Sequence, residues 1–318
     1  MPTLTAIVCP KCGHESALLS DPEAACERCG LVFARFRERE ETARLAAATV
    51  REQAVNPADV LEGTAAAPLS TGLDVAARRA LAAGAAAGLA LYALPFTRFL
   101  LRYLATLVHE LGHAAVGWAF GYPSIPAFDF LYGGGVTMLD QRNSGVLIVV
   151  YAAFALLGWW LWRRSAQVAL AILALAVAVY SMAAFTPGHE ALFLAAGHAS
   201  ELLFAGIFLY RALSGSACRT PGERPLYGAV ATFLLLNAAG FAWRLMSDHG
   251  FRVEYEEAKG GGRWMDFSRL ADEFFGVELQ TVAAAFLVAA VATPLVSWAV
   301  LRWREALAET AADLTSGS

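Results

Sequence analysis

Thr106-Leu107-Val108-His109-Glu110-Leu111-Gly112-His113-Ala114 lies inside an apolar block running from about residue 99 to 120. His109 and His113 are four apart. On a helix both imidazoles point to one face, one turn apart, and both can bind one zinc ion. Glu110 stands beside them and can take a proton from a zinc-bound water. Three ionisable side chains within five positions of an apolar span are costly in hydrocarbon unless paired or metal-bound. The stretch therefore reads both as a membrane helix and as a functional site.

The rest of the chain agrees with a membrane setting. Of its 318 residues 58% are hydrophobic and 16% charged, with a mean hydropathy of +0.50. Soluble domains are about 45–50% apolar and roughly 25% charged. The polar part is at the front: residues 1–79 hold 9 Lys/Arg and 11 Asp/Glu. From Ala80 onward apolar blocks about 20 residues long follow one another, the length a spanning helix needs. Seven candidates stand at 80–96, 99–120, 145–162, 167–185, 190–213, 226–246 and 278–301. The expected fold is mainly α, a polytopic helical membrane protein of about 6–7 spans with a small N-terminal zinc ribbon. The pattern excludes a disordered chain, a disulfide-rich secreted domain and a wholly soluble enzyme. A net charge of −4 gives no support for nucleic-acid binding.

Within the first block Gly84-x-x-x-Gly88 suits close helix packing or simply reflects Ala/Gly richness. Two irregular segments interrupt the later blocks. In 121–144, Phe128 to Tyr132 and Val136 to Leu139 are expected to form a hairpin around Gly133-Gly134-Gly135. In 247–277, Phe251 to Glu257 alternates like a strand, and Trp264 to Phe275 looks like an amphipathic helix lying on the membrane surface. Trp159, Trp160 and Trp162 beside Arg163 and Arg164 read as an interfacial aromatic belt.

At the N-terminus Cys9-Pro10-Lys11-Cys12-Gly13 and Cys26-Glu27-Arg28-Cys29-Gly30 are two C-x2-C knuckles. Four thiolates at this spacing grip one tetrahedral ion, and the glycine after each knuckle lets the chain turn back with φ > 0. The pattern resembles a zinc ribbon over residues 1–35, too small to fold without its metal. Residues 36–79 read as a charged helix and a linker, 80–305 as the membrane domain and 306–318 as a flexible tail. The first 30 residues hold four cysteines and several charges with no apolar core behind a basic start, so no signal peptide is expected. With seven spans the basic residues divide nine against eight between the two faces, which sets no orientation. The thiolate site favours a reducing compartment, so the ribbon is expected in the cytoplasm.

The stretch 106–114, followed by Gly121 and Gly134-Gly135-Val136, resembles the site-2-protease class of intramembrane zinc metalloproteases. The likeness covers about residues 99–138. It implies His109 and His113 as zinc ligands, Glu110 as general base, and a membrane protein or membrane-adjacent peptide as substrate. That class supplies its third ligand as an Asp in an Asn-Pro-Asp-Gly or Leu-Asp-Gly motif on a later span, and none occurs here. Gly197-His198-Ala199-Ser200-Glu201 stands in its place. His198 and Glu201 are i and i+3 on one helical face, at a depth matching His109 and His113. One of the two is expected to ligate the catalytic zinc and the other to hold a ligand histidine from behind. Asn237 in the sixth block is a candidate for hydrogen-bonding substrate backbone or an oxyanion.

The expected activity is hydrolysis of peptide bonds by a metal-activated water, with two Zn2+ ions per chain, one catalytic and one structural. The expected partners are the lipid bilayer, a peptide substrate and a protein partner of the ribbon. A membrane metal transporter and a catalytically inactive scaffold are the competing classes.

Overall fold

The computed structural model describes residues 5–18, 25–32, 73–129, 134–220, 222–258 and 264–316. The expected charged helix and most of the linker at 36–72 lie outside these. The chain divides into two compact units, Met1–Ala67 and Pro68–Ser318.

In the first unit β1 (Thr5–Val8) pairs antiparallel with β2 (Glu15–Leu18). The connection is the first knuckle. The Gly13 amide donates to the Cys9 carbonyl at 2.8 Å, and the Cys9 amide to His14 at 2.8 Å. The second knuckle repeats this geometry, from Gly30 to Cys26 at 2.8 Å and from Cys26 to Leu31 at 2.9 Å. Gly13 and Gly30 both have φ of 70°, which a Cβ would strain. The four sulfurs meet, with Cys9–Cys29 and Cys12–Cys26 each 3.6 Å apart. Burial raises the Cys26 thiol, but the amides of Arg28 and Cys29 and the neighbouring thiols outweigh it and lower its pKa to about 6.

The second unit is helical. Its elements are α1 (Val75–Ala93), α2 (Pro95–Ala119), α3 (Ser144–Arg163), α4 (Gln167–Ala184), α5 (Gly188–Ser214) and α6 (Glu223–Ser247). After them come α7 (His249–Glu257), α8 (Asp266–Arg269) and α9 (Leu279–Ser316). A hairpin of β3 (Ser124–Asp129) and β4 (Gly134–Leu139) follows α2, with Ile125 opposite Met138. The expected hairpin is present and starts four residues earlier.

Five helices, α3 to α6 and α9, are long and apolar enough to cross a membrane. The two blocks expected as separate spans at 80–96 and 99–120 are instead one pair bent by 103° at Leu94. Pro95 opens α2 at its first turn, where a missing N–H costs nothing. Among the described residues the candidate spans thus number five, or six with the bent pair, which meets the expected six to seven only at its lower end.

Close helix contacts rest on small residues. A Cβ on Gly84 would stand 2.8 Å from the Gly228 backbone, and one on Gly88 2.6 Å from the Ala229 carbonyl oxygen. The glycine pair is therefore a packing seam between α1 and α6. The main apolar cluster joins α5, α6, α7, α8 and α9 through Leu194, Leu245, Tyr255, Phe267 and Leu279. By contrast α3 and α4 are almost bare along their length, as lipid-facing helices are. Arg163 and Arg164 lie 4.4 and 4.1 Å over Trp159 and Trp160 at the foot of this pair.

One expectation fails, and two others are refined. Phe251 to Glu257 is helical rather than a strand, because Phe251 and Tyr255 stand one turn apart and pack on Phe241. Trp264 to Phe275 is amphipathic as expected, with one face packed into the protein and Trp264 and Phe275 exposed. Asp266–Arg269 continues as a π-helix over Leu270–Phe275, and Phe267, Ser268, Leu270 and Ala271 are buried. The tail from 306 is helical up to Ser316.

Candidate metal centre

The centre is built on α2. His109 and His113 face α5 because that crossing is stripped of side chains. A Cβ on Gly112 would clash with the Ala196 carbonyl and the Ser200 side chain. A Cβ on Gly197 would clash with Nε2 of both His109 and His113. The Ser200 hydroxyl, 2.7 Å from the carbonyl oxygens of Val108 and Gly197, ties the two helices together.

Each imidazole is held at its Nδ1. His113 Nδ1 donates to the Phe193 carbonyl oxygen at 2.7 Å. A carbonyl only accepts, so the proton sits on Nδ1 and the Nε2 lone pair is free in the neutral ring. His109 Nδ1 lies 2.8 Å from Glu201 Oε1, an arrangement that leaves its Nε2 free in the same way.

The two Nε2 atoms are 3.0 Å apart, and Asp266 Oδ2 lies 3.0 Å from one and 3.1 Å from the other. Three electron-rich atoms therefore form a nearly equilateral triangle in a buried place. Uncompensated, they repel one another, so the arrangement calls for a cation. Tetrahedral zinc ligands at 2.0–2.1 Å from the metal are spaced about 3.3–3.4 Å, close to the observed edges. The donor set and spacing fit zinc.

Asp266 is the residue that sequence reasoning missed. It arrives on the short helix α8, whose first turn is pinned by the Phe267 amide donating to the Tyr255 hydroxyl at 3.2 Å. Its only local signal is a single carboxylate flanked by Trp264, Met265 and Phe267.

His198 and Glu201 both reach the centre, but neither completes the triangle. Glu201 instead binds His109 from behind. The His198 ring stacks 5.2 Å from Phe241 and lies 4.2 Å from Phe267 and 4.5 Å from His109. Its Nδ1 is 3.3 Å from Glu201 Oε1 but misaligned for a hydrogen bond. His109, His198 and Asp266 also offer donor atoms within 4.8 Å of one another. The triangle with His113 is tighter and nearer to the spacing of a shared ion.

Glu110 is buried beside the triangle. Thr137 on β4 donates its hydroxyl to Glu110 Oε2 at 2.7 Å. Gly135 gives the carboxylate its room, since a Cβ there would lie 2.5 Å from Glu110 Cγ. All of this lines a cavity of about 580 Å³, which also takes in Asn237 on α6. Among the other histidines, His189 accepts from the Tyr122 hydroxyl at 3.0 Å and donates to Thr186, away from the centre.

Comparison of the chain with family models, with curated proteins and with solved structures found no match.

Proposed function

We propose that the chain is a zinc-dependent intramembrane endopeptidase carrying an N-terminal zinc ribbon. The observation behind the reading is the convergence of His109 Nε2, His113 Nε2 and Asp266 Oδ2 at 3.0–3.1 Å, with Glu110 adjacent and a cavity leading in. The resemblance of residues 99–138 to the site-2-protease class supports it independently.

His109, His113 and Asp266 would hold the ion, three protein ligands with one position open, as in catalytic rather than structural zinc sites. When bound, zinc acidifies a coordinated water and polarises a carbonyl. The protein's own part starts with Glu110. Thr137 occupies Oε2, so Oε1 is the atom left to accept a proton and later return it to the leaving amine. Glu201 and the Phe193 carbonyl fix the imidazole tautomers and raise their basicity.

An extended substrate is the form in which a peptide carbonyl can be reached. β4 pairs with β3 on one edge, and Gly134 to Thr137 line the cavity. The other edge of β4 can receive a strand beside Glu110. Asn237 is available from α6 to donate to a carbonyl oxygen. In the ribbon, Cys9, Cys12, Cys26 and Cys29 would hold the structural zinc. Their 3.6 Å sulfur spacing is close to the roughly 3.8 Å of a tetrahedral four-thiolate site. A four-thiolate site needs a reducing compartment, which supports a cytoplasmic position for that unit.

The test is the chain in lipid nanodiscs with a quenched fluorescent peptide whose apolar centre is interrupted by glycines. Glu110→Gln should lower cleavage by about 10²- to 10⁴-fold, the worth of a general base, with zinc retained. Cleavage unaffected by Glu110→Gln would end the proposal.

A further inference from the structure

Away from the metal centre, the charges that line the cavity are mostly cationic. Arg98 and Arg102 on α2 and Arg244 on α6 face it. None of the three has an ion pair with a described carboxylate. Arg269, which also lines it, is already held by Glu273 through two 2.9 Å bonds. Among the described residues, Glu254 is the one carboxylate of the lining that does not belong to the centre.

Two of the three arginines are held in place by aromatic rings. Arg98 lies 4.2 Å over the Tyr92 ring, and Arg244 3.8 Å over Phe251. Such contacts hold a guanidinium by its face and leave its N–H edge free. Arg98, Arg102, Thr106, His109 and His113 recur at steps of three to four along α2, so they share the face that lines the cavity. A chain that reaches His109 and His113 along this face passes both cations.

We propose that this arginine row is a subsite for an acidic segment of the peptide substrate, set at a fixed distance from the scissile bond. The proposal rests on the protease reading for the word substrate, but the binding it describes does not. The distance follows from helix geometry. Arg102 is seven residues and Arg98 eleven residues before His109, or about 10 and 16 Å along the axis at 1.5 Å per residue. An extended peptide advances about 3.3 Å per residue. The acidic residues thus belong roughly three to five positions from the bond that is cut. Guanidinium–carboxylate pairs are bidentate and directional, so the subsite sets register as well as affinity.

The experiment separates binding from cleavage. The probe is a fluorescent peptide with a glycine-interrupted apolar centre and three Asp residues four positions away, compared with the same peptide carrying Asn. Zinc-loaded Glu110→Gln protein in phosphatidylcholine nanodiscs is titrated and anisotropy read. The Asp peptide should bind at least about tenfold tighter, the worth of one well-made charged hydrogen bond. The triple change Arg98→Gln, Arg102→Gln and Arg244→Gln should erase the difference, and a triple change to Lys should keep most of it. With wild-type protein, moving the Asp run to ten positions away should lower cleavage to that of the Asn peptide. Equal binding of the two peptides overturns the proposal even if the wild type cleaves both. So does loss of peptide binding to phosphatidylglycerol nanodiscs with no preference for Asp, which would make the row a lipid-headgroup site. If the wild type cleaves nothing while the preference and its loss in the Gln variant hold, the protease reading fails and the subsite stands.

Discussion

Gly197→Ala is the sharpest single test of the centre. The new methyl would clash with Nε2 of His109 and His113 and lie 2.6 Å from His109 Cε1. An ordinary contact needs about 3.5 Å, so the rings or the helices must separate by about 1 Å. Metal–ligand distances tolerate only about 0.2 Å. Zinc affinity should therefore fall by at least about 100-fold, at the upper end of what losing a supporting contact causes. Overpacking should also cost about 1–3 kcal/mol of stability, although alanine favours the helix. The control is Gly206→Ala on the same helix, where the nearest atoms are 3.4 Å away and no loss is expected. Zinc affinity is read by competition with a chelator in nanodiscs, and the metal-free melting temperature reports folding. A folded Gly197→Ala protein that binds zinc within about threefold of the wild type would refute the close approach of α5 to the ligand nitrogens.

Asp266→Ala should release the membrane-unit zinc and keep the ribbon zinc, whereas Glu201→Gln should weaken the former by about 10- to 100-fold without abolishing it; metal analysis giving the reverse order would make Glu201 the ligand. The joint change Cys26→Ser and Cys29→Ser should remove one zinc per chain and leave peptide cleavage intact in the same protein. Gly88→Ala should lower the melting temperature, because 2.6 Å from the Ala229 carbonyl leaves no room for a methyl between α1 and α6; an unchanged or raised value would count against that seam.

The helix periodicity around His109 made both the fold class and half of the centre legible, because i and i+4 place two side chains together whatever the tertiary structure. The glycine knuckles were equally local. What local pattern could not supply was Asp266. Reckoning by depth assumed that every ligand sits on a spanning helix, and it led to His198 and Glu201. These do reach His109, Glu201 from behind and His198 from the side, where it shares a candidate ligand group with His109 and Asp266. The third oxygen comes from an interhelical segment, where a lone carboxylate after three glycines looks solvated until its contacts are known. Phe251 to Glu257 misled for a related reason. Over seven residues an alternation and a helical i, i+4 pair coincide, and only packing of Phe251 and Tyr255 on Phe241 decides between them. The bend at Leu94 was marked by Pro95, but proline at a first turn allows a helix to start without fixing the angle at which it leaves.

Asp266 lies 157 residues after His109 and 153 after His113. At ribosomal rates of about 5–20 residues per second, roughly 8 to 30 s separate the synthesis of the two histidines from that of their carboxylate. During that interval the nascent chain holds Glu110 and both imidazoles without the third donor. A centre that depends on the late segment stays incomplete until α8 has been made. On the protease reading, the chain would thus be inserted before it could cut an apolar peptide.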